Sequence, residues 1–178
     1  MKSIKHIALT AILAVSAFGA VLYTSCNKDA CKGVTCQHGG TCSGGTCTCP
    51  TGTTVADNCT TIYETSYANT YVGTGTDNLG DTYTNFRMLF SIPSSSTDYT
   101  TMNLTIQDAT GGTAGVPVLT VTLSQFTASG AIFTVNSTTS AGLTYTGTGT
   151  ISGTTASIVL QEAGSTTTTY TFSNFTKQ

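Results

Sequence analysis

Residues 101–107 read TMNLTIQ. Met102, Leu104 and Ile106 are apolar; Thr101, Asn103, Thr105 and Gln107 are polar. Successive side chains of a strand point to opposite faces, so a strict period of two predicts a strand with one face buried and one in water. The alternation recurs on both sides of this stretch. Upstream, Phe86, Met88, Phe90 and Ile92 share one phase against Asn85, Arg87 and Ser91. Downstream come Leu119, Val121 and Leu123, then Phe133 and Val135, then Leu143 and Tyr145. Ala156, Ile158 and Leu160 form the next set, and Tyr170 and Phe172 the last, with Phe175 near the end. A first strand around Tyr67 to Gly75 brings the number to eight.

Breakers separate these runs: Asp77-Asn78-Leu79-Gly80, Pro93-Ser94-Ser95-Ser96, Gly111-Gly112, Ser129-Gly130, Ala141-Gly142, Ser152-Gly153 and Ala163-Gly164. Short connections of this kind are hairpins. No window carries a capped helical stripe. Residues 62–178 hold 30 Thr in 117 positions, a β-branched residue that suits strands. The expectation is one all-β domain over 62–178. An even meander with no long crossover favours an eight-stranded antiparallel up-and-down barrel, which removes sheet edges; a β-sandwich is the alternative. Asn69-Thr70-Tyr71-Val72-Gly73, and later Thr146-Gly147-Thr148-Gly149-Thr150-Ile151, resemble lipocalin-like (calycin-like) barrels, which open with an aromatic and a Gly on the first strand. The Trp usual in lipocalins is absent. The resemblance implies a carrier of a small apolar ligand.

The other end of the chain has a different chemistry. It opens MKSIKHIALTAILAVSAFGAVLYTSC, with Lys2 and Lys5 ahead of a charge-free run from Ile7 to Tyr23. A basic start and a short apolar run predict a secretory signal over 1–25. A membrane-spanning anchor would want a longer run and a basic cluster after it. Leu22-Tyr23-Thr24-Ser25-Cys26 resembles a bacterial lipoprotein lipobox, although Tyr23 stands where Leu is usual. The resemblance implies lipidation at Cys26, a tether over 26–30 and an outer-membrane location. Asn27-Lys28-Asp29 is similar to the surface-export signal of some Gram-negative lipoproteins.

All seven cysteines fall between Cys26 and Cys59. Setting Cys26 aside leaves six: Cys31, Cys36, Cys42, Cys47, Cys49 and Cys59. So short a segment cannot bury enough apolar surface to fold alone, and exported domains of this size rely on disulfides. Six cysteines allow 15 pairings. The order, with Cys47-Thr48-Cys49-Pro50 and Gly39-Gly40-Thr41-Cys42, resembles an EGF-like module over 31–59. That resemblance implies Cys31–Cys42, Cys36–Cys47 and Cys49–Cys59. The Gly-aromatic-x-Gly stretch usual before the last Cys reads Gly52-Thr53-Thr54-Val55 here. Zinc is not expected, because the chain is exported and C-x-x-C spacing is absent. Asn27 and Asp29 supply only part of the pattern with which EGF-like modules hold Ca²⁺. His38 is expected in a loop without a partner.

The inventory holds no catalytic set. Residues 62–178 have no His, no Cys and no Trp, so no Ser-His-Asp arrangement can form there. Asp77, Asp81, Asp98 and Asp108 sit where Asp serves turns. Asp77, Asn78 and Asp81 are the candidate oxygen ligands for Ca²⁺, with a plain hairpin as the simpler reading. Neither metal nor cofactor is expected. Arg87 is the candidate ligand-orienting residue should its face line a cavity; otherwise it is a surface charge. From Cys26 onward four basic residues face eight acidic ones, a net charge of −4 that disfavours nucleic acid as partner. The expected protein is a non-catalytic, lipid-anchored envelope or surface lipoprotein with a binding or structural role. A small apolar ligand, a glycan or a protein are candidate partners. Self-assembly of bare Thr-rich strands is a further reading.

Overall fold

The computed structural model describes residues 30–94, 98–108, 110–112, 114–127 and 129–178. The apolar run, Cys26 and the Asn27-Lys28-Asp29 segment lie outside the described residues. Two compact units emerge. The described part of the first covers residues 30–50 and Thr54–Thr60; the second comprises Thr51–Thr53 and Thr61–Gln178.

The first unit is held by three disulfides, Cys31–Cys42, Cys36–Cys47 and Cys49–Cys59. Strands β1 (Thr41–Ser43) and β2 (Thr46–Thr48) form its hairpin. Gly44 and Gly45, at the turn, have φ of 60° and 86°, as a primed two-residue turn requires. Among its described residues the only buried apolar side chains are Cys47 and Cys59. The bridges therefore stand in for a core. Gly40 has a packing reason: a Cβ there would lie well under 3.0 Å from Cys59 Sγ.

The second unit begins with a short helix, α1 (Tyr63–Tyr67), which the period-two reading missed. Eight strands follow: β3 (Thr70–Asp77), β4 (Thr82–Ser91), β5 (Thr101–Gln107), β6 (Leu119–Thr127), β7 (Gly130–Ser140), β8 (Leu143–Ser152), β9 (Thr155–Ala163) and β10 (Thr167–Lys177). Each pairs antiparallel with the next, and β10 returns to pair with β3, closing the barrel. Closure settles barrel over sandwich. The apolar phase of every strand faces inward, and Tyr71, Met88, Phe90, Leu104, Phe133 and Phe175 are fully buried. Ile92 departs from this pattern: it lies beyond the end of β4 and is partly exposed.

The outer face is rich in hydroxyls. Thr139 and Thr144 approach to 3.2 Å and Thr150 and Ser157 to 2.9 Å across neighbouring strands. Such cross-strand pairs each add a few tenths of a kcal/mol or more, up to about 1 kcal/mol.

Four bulges re-aim side chains, one of them in β7 between Val135 and Thr138. Asn85, Gln125 and Asn174 have φ of 58°, 52° and 57°, beside register shifts in the β3–β4, β6–β7 and β9–β10 pairings. An extra residue in a strand shifts the phase of everything beyond it. Tyr83 and Phe86, three apart, thus both contribute to the interior, as do Phe172 and Phe175.

Candidate ligand site

The barrel has two unlike ends. The end where β3 begins is closed. Tyr67 of α1 is buried there, with its hydroxyl 2.5 Å from Thr127 O and 2.9 Å from Gly130 O. Tyr63 stacks on Phe126 at 6.0 Å. Glu64 is buried as well, and its Oε2 has no hydrogen-bond partner among the described residues, nor has the buried Tyr71 hydroxyl. Burial, reinforced by the Asp98 carboxylate, raises the Glu64 pKa.

The opposite end carries the β3–β4, β5–β6, β7–β8 and β9–β10 connections. Below them lies a cavity of about 120 Å³ lined by Tyr83, Phe86, Ile106, Ala114, Val116, Leu160, Glu162, Tyr170 and Phe172. Ala114 and Val116 come from the connection after β5, whose Ala114 N–H donates to Ile106 O at 3.3 Å. The rings form one cluster: Tyr83 is 5.2 Å from Phe86 and 6.0 Å from Tyr170, and Phe86 is 5.9 Å from Phe172. Glycines make room beside them. A Cβ on Gly75 would lie well under 3.0 Å from Phe172, and one on Gly73 from Phe175.

Among the described residues Glu162 is the one charged group in the lining. It follows Ala156, Ile158 and Leu160 in the inward phase of β9 and pairs directly across from Tyr145 of β8. Tyr145 is buried and donates its hydroxyl to Glu162; burial first, then this bond, raises the phenol pKa. Tyr170 pairs across from Asp77 and likewise has a raised pKa, through burial and then the Glu162 and Asp77 charges.

Asp77 is bound into its turn. Its Oδ1 accepts from the Leu79 and Asp81 N–H groups, both at 2.9 Å, and its Oδ2 accepts from Tyr83 Oη at 2.8 Å. Burial opposes its ionisation, yet the bonds from Tyr83 and the turn N–H groups together hold the carboxyl below the usual range. The same bond, with burial second, pushes the Tyr83 phenol up to about 12. Asn78 Oδ1 accepts from Thr169 N at 2.9 Å. Of the oxygens considered for Ca²⁺, those of Asp77 thus serve the turn and that of Asn78 binds β10, and among the described residues no group of three or more His, Cys, Asp or Glu is placed to hold a metal.

Arg87 is exposed, in the phase opposite the buried Met88, and does not line the cavity. His38 does have a partner: its Nδ1 lies 2.7 Å from Cys59 O, so that nitrogen carries the proton. Of the aromatics read from sequence as interior, Phe86, Tyr170 and Phe172 line the cavity, while Phe90 and Phe133 meet edge to face at 5.2 Å deeper in the barrel. Tyr83, Ala114, Val116 and Glu162 are the lining residues that sequence reasoning missed. For Glu162 the signal was present, a carboxylate in phase with three apolar residues. No described helix is long and apolar enough to cross a membrane. Comparison with protein-family models, with curated proteins and with solved structures gives no match.

Proposed function

We propose that this protein is a lipid-anchored, surface-exposed outer-membrane lipoprotein whose barrel carries a small, mostly apolar ligand, with a binding and not a catalytic role. The observation that carries the reading is the cavity at the open end: concave, aromatic-lined, with one charged group among the described residues. An eight-stranded barrel is just wide enough to hold one small ligand. At about 120 Å³ the space is of the order of the ~150 Å³ cavity that takes a benzene-sized molecule. The basic start, the apolar run and the lipobox-like approach to Cys26 support the anchor. The linkage of first to third, second to fourth and fifth to sixth cysteine supports an EGF-like spacer between anchor and barrel. Self-assembly by edge addition has less in its favour, because a closed barrel offers no free strand edge.

Native mass spectrometry with lipid extracts offered tests the carrier role. One ligand per barrel, lost on Ala114→Phe, is expected; no adduct with any extract would count against it. Labelling with radioactive palmitate tests the anchor: label should enter the intact chain and be absent from Cys26→Ala.

A further inference from the structure

The cavity's charge pattern narrows the ligand class, on the premise that the cavity is a ligand site. We infer that it takes a small organic cation, an alkylated or methylated ammonium group, held between the Glu162 carboxylate and the rings of Tyr83, Phe86, Tyr170 and Phe172.

The reasoning starts from what a bound molecule would do to Glu162. A neutral apolar ligand filling the cavity strips water from the carboxylate and replaces it with nothing. Tyr145 supplies one hydrogen bond, which leaves most of the charge unpaired, and an uncompensated charge in an apolar site is costly. An anion fares worse. It would meet Glu162 and, beside Tyr83, Asp77, and among the described residues neither Lys, Arg nor His lines the cavity. Arg87, the nearest cation along β4, is exposed in the outward phase. A cation satisfies the carboxylate, and the surrounding rings then contribute in place of water. Aromatic rings attract a cation within about 6 Å of their centroids. Tyr83 and Phe172 each lie 5.2–6.3 Å from the other three rings, and all four line the same space, so a central group can approach several. Tyr83 is further suited, because donating its hydroxyl to the Asp77 carboxylate at 2.8 Å raises the electron density of its ring. Alkylation of the cation matters because a bare ammonium ion needs hydrogen-bond acceptors that these rings do not supply, whereas methyl groups pack against them.

The test is a nuclear magnetic resonance titration of the purified chain with choline and with its neutral carbon isostere, in which tert-butyl replaces trimethylammonium. Choline is expected to bind at least tenfold tighter, to shift cavity resonances, and to weaken as salt rises. Glu162→Gln should abolish the preference by costing choline about tenfold and the isostere nothing. Should that variant fail to fold, Tyr170→Leu keeps the carboxylate and removes one ring; it should weaken choline severalfold more than the isostere. Equal binding of the two probes, or a preference that survives Glu162→Gln in folded protein, overturns the cation assignment while leaving the cavity a ligand site. Failure of choline, with toluene still bound, does the same. Failure of all three overturns both.

Discussion

Gly149 offers the sharpest check on the packing of the barrel. It lies on β8 opposite Phe133 of β7 and Ile158 of β9. A Cβ added there would lie well under 3.0 Å from two atoms at once, Phe133 Cζ and the Ser157 carbonyl oxygen. The first obstacle is the tip of a ring that is itself fully buried; the second is backbone of the neighbouring strand. Gly149 has no positive φ, so the substitution carries no dihedral penalty. Without the obstacles, Ala in a strand interior should be more stable than Gly by roughly 0.5–1 kcal/mol. Overpacking a well-filled core costs about 1–3 kcal/mol, occasionally more, and a backbone obstacle belongs at the upper end. The expected net effect of Gly149→Ala is a loss of about 2 kcal/mol. For a domain of this length that is a fall in Tm of roughly 8 °C. The assay is thermal and urea unfolding followed by far-ultraviolet circular dichroism. Gly149→Ala combined with Phe133→Leu should show a coupling of at least about 0.5 kcal/mol, because the two positions share the obstacle. A single variant as stable as the parent, or more stable, would refute the close approach of β7, β8 and β9.

Glu64→Gln tests the buried carboxyl at the closed end. Its folded pKa is raised by burial and by Asp98, so the native state holds the proton to higher pH than the unfolded chain. Stability is then greatest below the unfolded Glu value near ~4.3 and falls as pH rises through the raised folded value. Glu64→Gln should melt like the parent near the bottom of that window and a few degrees higher at neutral pH; an unchanged or lower Tm there would count against it. For Tyr83, whose phenol sits at about 12 through its bond to Asp77, Asp77→Asn should return one tyrosine titration toward ~10, read by ultraviolet difference spectra. Reduction should unfold the disulfide unit, since each bridge contributes typically about 2–4 kcal/mol. Amide exchange should show peptides from Leu104 to Phe172 still protected, because all three bridges close within Cys31–Cys59; joint loss of protection would show one cooperative unit.

The alternation of Met102, Leu104 and Ile106, repeated six more times, is enough to read seven half-buried strands, and the stretch around Tyr67 to Gly75 supplies the eighth. Their short turns favour an up-and-down order, and the choice of barrel over sandwich rests on the pairing of β10 with β3 that the structure shows. What alternation hides is any phase change within a strand. Tyr83 and Phe86 are three residues apart, and period two sends one of them outward; only the bulge at Asn85 turns both in. The cavity rim depends on that bulge, so it was not legible. The five-residue α1 is too short to show a helical stripe, and Tyr67 was read instead as the start of a strand. Its packing at the closed end is a tertiary fact, fixed by contact with Thr127 and Gly130 some sixty residues on. Glu162 was legible in principle, by phase alone, but a lone acid near a strand end reads as surface until Tyr145 is seen across from it.

The central claim is that the barrel is filled along most of its length and open to a small ligand at one end only. The most direct measurement is a methyl nuclear magnetic resonance titration with toluene. Ile106, Val116 and Leu160, which line the cavity, should shift together and saturate, while Leu119 and Val121, buried away from it, stay in place. Saturating shifts at Leu119 and Val121, or no shift at the cavity methyls with toluene up to its solubility and none with choline added in its place, would contradict the account.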